Sequence, residues 1–368
     1  METKNKSNLF VLIVFLFLII FPKGGLKIQE IPITWGYLLL PLCTLVNWRF
    51  RSLRPLHYLI PLQLLFFYSV IVNGVEDVGF FFAFLYSFFL LPLCIFSADL
   101  PILQPKWIRN GMLFLAIYGI VLFFFKLFTG EFFEIPFLTV NGADAGLIGD
   151  KCIERGDYFK LISTYQNGNL FGICMLMLLP LYKFRGKSII KLALLLTLSR
   201  TVWAGLIYYE LVVEKNYYKV LVIGALLFAL SLWMGFSFDF FLDETLGGRS
   251  DDFDILREMT LFPSKPFGAI KEMVYVGMME NLGLLGLFAF LYAMIPFAKG
   301  RNGQLVYLFL CFSDGALLLI PTMAIYWLLA KKSMESIESP EVDKTCAKRL
   351  KIEPTTPLYN HLIDRKLW

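Results

Sequence analysis

Apolar runs close to the length that crosses about 30 Å of hydrocarbon recur along the chain, with short polar segments between them. In lipid only a backbone that satisfies its own hydrogen bonds is tolerated, so these runs predict helices. The pattern places them over residues 8–22, 32–48, 57–73, 78–97, 110–128, 169–184, 217–236 and 275–297. Two longer stretches, 188–213 and 304–330, are each about 26 residues, near 40 Å as one continuous helix. Each carries polar residues at its middle, Ser199-Arg200 and Ser313-Asp314. A single span would bury that charge at a cost of a few kcal/mol or more, so each stretch is expected to be two short, tilted or broken helices with the charged tip at the far surface. The expected fold is all-α: a polytopic transmembrane bundle of about twelve spans with two large extracytoplasmic loops, about 129–168 and 238–274.

Composition removes the soluble alternatives. The 368 residues are 58% hydrophobic and 17% charged, with a mean hydropathy of +0.66, against roughly 25% charged residues in a soluble domain. Residues 8–22 follow a basic start, but no small-residue cleavage site comes after them, so they are taken as the first membrane helix. The net charge of +5 does not gather into a nucleic-acid patch, and no nucleic-acid partner is expected. Instead the basic residues sort by loop. Arg49, Arg51 and Arg54, then Lys106 and Arg109, then Lys183, Arg185 and Lys187, then Lys299 and Arg301 mark cytoplasmic segments by the positive-inside rule, and both chain ends fall on that side. The domain division is residues 1–330 in the membrane and a cytoplasmic tail, 331–368.

Cys43, Cys94, Cys174 and Cys311 lie in apolar segments, Cys346 in the tail and Cys152 outside, so no intramolecular disulfide is expected on the outer side. Both histidines, His57 and His361, are assigned to the cytoplasm, which removes zinc and a histidine base from the outer loops. No metal and no cofactor are expected. The acidic run Asp251, Asp252, Asp254 lacks a full calcium-loop spacing.

The outer side carries cations that the positive-inside rule does not explain: Arg155, Lys160, Arg200, Arg249, Arg257, Lys265 and Lys271. Guanidinium groups match phosphate oxygens bidentately and stay protonated, so a pyrophosphate at the lipid surface suits them. The alternative is a local carboxylate, as Arg249 has in Asp251 or Asp252. Arg200 has no acidic neighbour close in sequence and sits between apolar segments, which favours a functional role. Glu272 and Glu280 flank the entry to the last long helix and are candidate bases, with helix capping as the competing use. Tyr158, Tyr165 and Tyr275 are candidates for sugar contact or interfacial anchoring, while the Phe-rich run 79–89 is lipid-facing or packing material.

Several strings resemble those of O-antigen polymerases and ligases. Glu154 to Gly172 (ERGDYFKLISTYQNGNLFG) is similar to the end of that family's first outer loop, with Gln166-Asn167-Gly168-Asn169 at its Asn-Pro-Asn-like turn. Leu196 to Gly205 (LTLSRTVWAG) resembles its Thr-x-Ser-Arg helix end, and Gly247 to Ile270 its second loop, with Arg257 to Gly268 fitting the Arg-x10-Gly pattern of Wzy-type polymerases. Glu280 to Phe290 resembles the helix that follows, here as Glu-x-x-Gly-x-x-Gly.

The resemblance covers about residues 150–330. It implies a GT-C-like membrane glycosyltransferase of the bacterial inner membrane that takes an undecaprenyl-pyrophosphate-linked oligosaccharide as donor without a metal. It implies a lipid bilayer environment, with a chain-length regulator and a flippase as partners. Arg200 and Arg249 would hold the pyrophosphate, with Arg155 or Lys160, and Arg257, assisting; Asn169 and Tyr275 would contact substrate. Ligases of the family carry a His where Glu272 stands, and Gly168 replaces the usual Pro. Polymerisation of repeat units into O-antigen, capsule or exopolysaccharide is the expected activity. An O-antigen ligase acting on lipid A core is the nearest alternative, and a transporter of lipid-linked oligosaccharide is the third.

Overall fold

The computed structural model describes residues 2–28, 31–48, 53–142, 154–155, 158–233, 259–298 and 302–338. The chain divides into two compact units, Met1–Ala330 and Lys331–Trp368, the second described only through the end of the last helix. Helix α1 (Glu2–Phe15) continues through a π turn (Leu16–Ile20) into an antiparallel hairpin, β1 (Gly25–Ile28) and β2 (Ile31–Thr34), in which Gly25 pairs with Thr34. α2 (Trp35–Val46) follows, then α3 (Ile60–Asn73) behind a 3-10 turn. α4 (Val78–Leu85), a π turn (Tyr86–Leu90) and α5 (Leu91–Ser97) make one rod, followed by α6 (Pro105–Thr129). β3 (Glu154–Arg155) and β4 (Tyr158–Phe159) form a short hairpin. Beyond it come α7 (Gly168–Leu178), α8 (Lys187–Leu196), α9 (Arg200–Tyr208) with a π turn to Val213, α10 (Tyr217–Trp233), α11 (Val274–Ala298), α12 (Asn302–Leu310) and α13 (Ile320–Glu338).

Punctuation residues explain most of the boundaries. Pro61, Pro92 and Pro105 sit in first turns, where the missing N–H costs nothing. The Asp77 carboxylate accepts from the Gly79 and Phe80 amides and caps α4. Gly130, in the left-handed region, closes α6 by returning its N–H to Lys126. Four helices, Pro55–Asn73, Val78–Ser97, Pro105–Thr129 and Val274–Ala298, are long and apolar enough to cross a membrane. The fold is predominantly helical.

Hydrogen bonds between connectors sort the turns into two ends. At one end Asp99 N–H donates to the Asn47 carbonyl (3.2 Å) and the Tyr182 hydroxyl to that of Leu103 (2.7 Å), which gathers the segments bearing Lys106, Arg109, Lys183, Arg185 and Lys187. At the other end Asn141 Nδ2 donates to Leu26 O (3.1 Å), Trp35 Nε1 to Phe137 O (2.9 Å), and Phe267 N–H to Gly74 O (3.0 Å). Expected helix 169–184 ends at Leu178, six residues early, in a turn held on the basic end by that Tyr182 bond.

Aromatic rings fill the interior where α3, α4, α5 and α11 meet. Phe66 stacks on Phe84 (4.4 Å), and Phe267 reaches in from its connector edge-on to both (4.9 and 5.4 Å). Trp327 stands edge-on to Phe88 and donates its indole N–H to Ser87 O (2.8 Å). Of the Phe-rich run, Phe84 and Phe88 are therefore packing material, while Phe82 is 55% exposed.

The α8–α9 hairpin is pinned at its basic end by ion pairs. Glu210, fully buried, pairs with Lys191. Lys187 Nζ lies 3.0 Å from Glu214 Oε1 and donates to the Tyr209 hydroxyl (2.8 Å), which in turn donates to Glu214. The Tyr209 hydroxyl, then Lys187, holds the Glu214 carboxyl down from 4.5 to about 2. A depressed carboxyl contributes stability that is complete above 4.5 and lost as pH falls toward 2. Glu214→Gln is accordingly expected to be less stable than the parent at neutral pH, with the gap in unfolding midpoint closing across that acid window.

Candidate functional site

Away from the basic loops, two interrupted helical stretches and the segment leading into α7 converge beside the middle of α6. The segment before α7 lies along the end of α8, where Leu161 N–H donates to Leu196 O (3.0 Å), so Lys160 is carried to this point. Ser163 Oγ donates to Leu115 O (2.7 Å), Thr164 to Ile20 O, and the Tyr165 hydroxyl to Ile19 O (2.6 Å), which fixes the segment against α6 and the end of α1. Asn167 then caps α7, its Oδ1 accepting from Leu170 N–H (2.7 Å). The stretch 188–213 breaks at Thr197–Ser199, and Ser199 Oγ caps α9 by accepting from Val202 N–H (3.3 Å). The stretch 304–330 breaks between Leu310 and Ile320.

Side chains join the three tips. Asn169 Nδ2 donates to Asp314 Oδ2 (2.6 Å), and the hydroxyls of Thr201 and Ser313 are 2.8 Å apart. Gly315 N–H donates to Glu272 O (3.2 Å) and Val274 N–H to Cys311 O (3.1 Å), bringing the start of α11 alongside. The expectation that both charged tips stand at a surface needs correction. Asp314 is 6% and Ser199 2% exposed, with Arg200 half-buried, because the Lys160–Asn169 segment and the start of α11 cover them. Three of the five non-glycine residues with left-handed φ among the described residues, Ser163 (57°), Leu198 (50°) and Ala316 (43°), are the bends of these interruptions. Each such bend costs about 1–2 kcal/mol, and such bends concentrate at ligand sites.

Charged groups of both signs and two helix starts meet at this spot. α7 and α9 both begin here, capped by Asn167 and Ser199, and each turns the positive end of its dipole to the spot. Lys160 and Arg200 bring two cations to the spot and Asp314 and Glu272 two carboxylates, Asp314 accepting from the Asn169 amide. Asn169 Oδ1 is buried without a hydrogen-bond partner among the described residues, an open acceptor beside that pair.

α11 covers the expected helix 275–297 but is kinked within it. Gly283, at φ +70°, interrupts it, and the freed N–H groups of Leu284 and Leu285 donate to Thr260 O (3.0 Å) and Leu261 O (3.1 Å). Asn281 clasps the next part of that segment, Oδ1 accepting from Gly268 N–H (2.8 Å) and Nδ2 donating to Ala269 O (3.2 Å). The Pro266-Phe267-Gly268 string is thus anchored in the bundle. The clasp sets Lys271 3.7 Å from Glu280, just ahead of the kink.

Of the residues singled out in the sequence, Arg200, Lys160, Asn169 and Glu272 come together here. Tyr275 is next to them, its hydroxyl donating to Leu308 O (2.6 Å) and its ring 4.7 Å from that of Phe312. Tyr165 is 1% exposed and belongs to the core, which removes it from sugar contact. Arg249 and Arg257 lie outside the described residues, as does the side chain of Arg155, whose backbone is in β3, and that of Tyr158. Cys43, Cys94, Cys174 and Cys311 are free and buried, while Cys152 and Cys346 lie outside the described residues. Sequence reasoning marked Asp314 as an unusual charge without giving it a role; its position inside an apolar stretch was the available signal. Comparisons with models of protein families, with curated proteins and with solved structures give no match, so the geometry is the ground for a function.

Proposed function

We propose that this chain is a membrane glycosyltransferase that polymerises undecaprenyl-pyrophosphate-linked oligosaccharide repeat units. One observation carries the reading: Lys160, Arg200 and two helix N-termini converge on a single spot away from the basic loops. That combination suits a pyrophosphate better than a neutral sugar or a cation. In this reading the shorter helices are spans too, giving twelve passes of a GT-C-like bundle. The basic loops and both chain ends face the cytoplasm of a bacterial cell and the site faces outward.

The reaction follows from the charges. An acceptor hydroxyl attacks the anomeric carbon of the donor glycan, and a new C–O bond forms as the bond to pyrophosphate breaks. The electron pair leaves with undecaprenyl pyrophosphate, where Arg200, Lys160 and the helix ends meet the developing charge. The hydroxyl proton passes to a carboxylate, for which Glu272 and Glu280 are the candidates. Arg249 and Arg257 are assigned to the same anion. Asn169, held by Asp314, shapes the floor beside them.

Purified protein given lipid-linked repeat units tests this. A ladder of longer glycans is expected, and Arg200→Ala should slow elongation by about a hundredfold or more while the protein stays folded in the membrane. Undiminished chain growth in that variant contradicts the assignment. Transfer to lipid A core would make the protein the ligase instead. The interrupted helices favour transport as the second reading, because half-helix N-termini also bind anionic cargo in carriers. Movement of the lipid-linked glycan between leaflets with no new glycosidic bond would establish it.

A further inference from the structure

At the opposite end of the same helices a cavity of about 500 Å³ opens between α8, α10 and the turns that flank them. Its polar part is lined by Lys183, Arg185, Lys187, Lys191 and Lys219, with Glu214 as the one carboxylate. Lys187 is matched by Glu214 and Lys191 by Glu210. Lys183, Arg185 and Lys219 have no carboxylate partner among the described residues, and all three are exposed. Three like charges converging on one cavity repel one another, and nothing in the bundle's packing requires them there.

Apart from Ser188, the rest of the wall is apolar, Phe184 and five aliphatic side chains. Leu192, Leu195, Val222, Ile223 and Leu226 continue the cavity along the two helices, and Leu192 and Leu226 are about half exposed, at 49% and 50%. A small soluble phosphate would satisfy the cations and leave this wall bare. A neutral lipid would cover the wall and leave the cations unmatched. A molecule with a phosphate head and a hydrocarbon tail answers both. The cavity also lies at the helix ends, where a head group in a bilayer would sit.

We infer that the cavity between α8 and α10 is a binding site for an anionic phospholipid, its phosphate held by Lys183, Arg185 and Lys219 and an acyl chain lying on Leu192, Val222 and Leu226. The site is separate from the converging helix tips, and its occupancy does not depend on the glycan chemistry proposed for them. Because α8 runs from this cavity to Leu196, beside the tips, the lipid braces the helix that carries the Thr197–Ser199 break.

The test uses the full chain in an uncharged detergent. Native mass spectrometry is run with dioleoyl-phosphatidylglycerol, with dioleoyl-phosphatidylcholine and with inorganic phosphate. The glycerol lipid should be retained about tenfold more tightly than the choline lipid, and inorganic phosphate should not displace it. The exposed triple variant K183A/R185A/K219A should lose that preference. Leu192→Gln with Leu226→Gln should weaken both lipids while leaving the preference between them. Equal retention of the two lipids overturns the inference, as does a preference that survives in the triple variant. Displacement by inorganic phosphate, or lipid binding untouched in the double glutamine variant, makes the site one for a soluble anion and overturns the lipid assignment.

Discussion

Lys191→Met should lower the unfolding free energy by about 3–5 kcal/mol, because it leaves the Glu210 carboxylate without its cation in the protein interior. Glu210 is fully buried, so water cannot take over from the lysine. The informative comparison is the double variant Lys191→Met/Glu210→Leu. Removing both charges returns most of the stability, since the pair's mutual attraction largely repays desolvation and little else. Unfolding of the detergent-purified single and double variants in denaturant reads both. A single variant as stable as the parent means that the pair is hydrated, not buried. A double variant as weak as the single one means that Lys191 acts through its stem packing.

Gly283→Ala should cost about 2–4 kcal/mol, from a left-handed backbone that L side chains avoid and from contact with main-chain atoms that cannot step aside. A Cβ at Gly283 would stand 2.7 Å from the Phe262 carbonyl carbon and 2.8 Å from Leu261 O. Leu261 O is also one of the two carbonyls, with that of Thr260, that receive the freed N–H groups of the kink, so the substitution also pushes the 260–262 segment off its acceptor role. Gly224 in α10 is the control, with nothing within 4 Å of an added Cβ. Gly224→Ala is expected to be neutral or to stabilise by up to about 1 kcal/mol. Equal unfolding midpoints for the two alanine variants would show that α11 straightens without penalty.

The helix interruptions were legible in the sequence because charge inside an apolar run has one inexpensive solution, a break in the run. Ser199-Arg200 and Ser313-Asp314 each mark one. What covers those breaks was not legible. Asn169 and Asp314 are 145 residues apart, and no local spacing announces a pairing between them. The kink at Gly283 was hidden for a related reason: Gly277, Gly283 and Gly286 all fit a straight apolar helix equally well, and the bend at one of them depends on the arrival of Thr260 and Leu261. Tyr165 looked interfacial from its place in a long loop, yet that loop dips between α1 and α6 and takes the ring inside. The hairpin of Gly25–Thr34 escaped notice because its strands abut apolar helices and share their composition.

The aromatic interior ties the beginning of the chain to its end. Ser87 waits for an indole 240 residues further on, and the Ser69 hydroxyl for a carbonyl at Asn281, 212 residues away. During synthesis, α3 to α5 therefore emerge long before the helices that complete their packing, and they must sit as an unfinished half-bundle until the final segments arrive. Contacts between distant segments form late, so a chain that stops short of Trp327 loses more than its last helix. It leaves the earliest ones without an interior to close around.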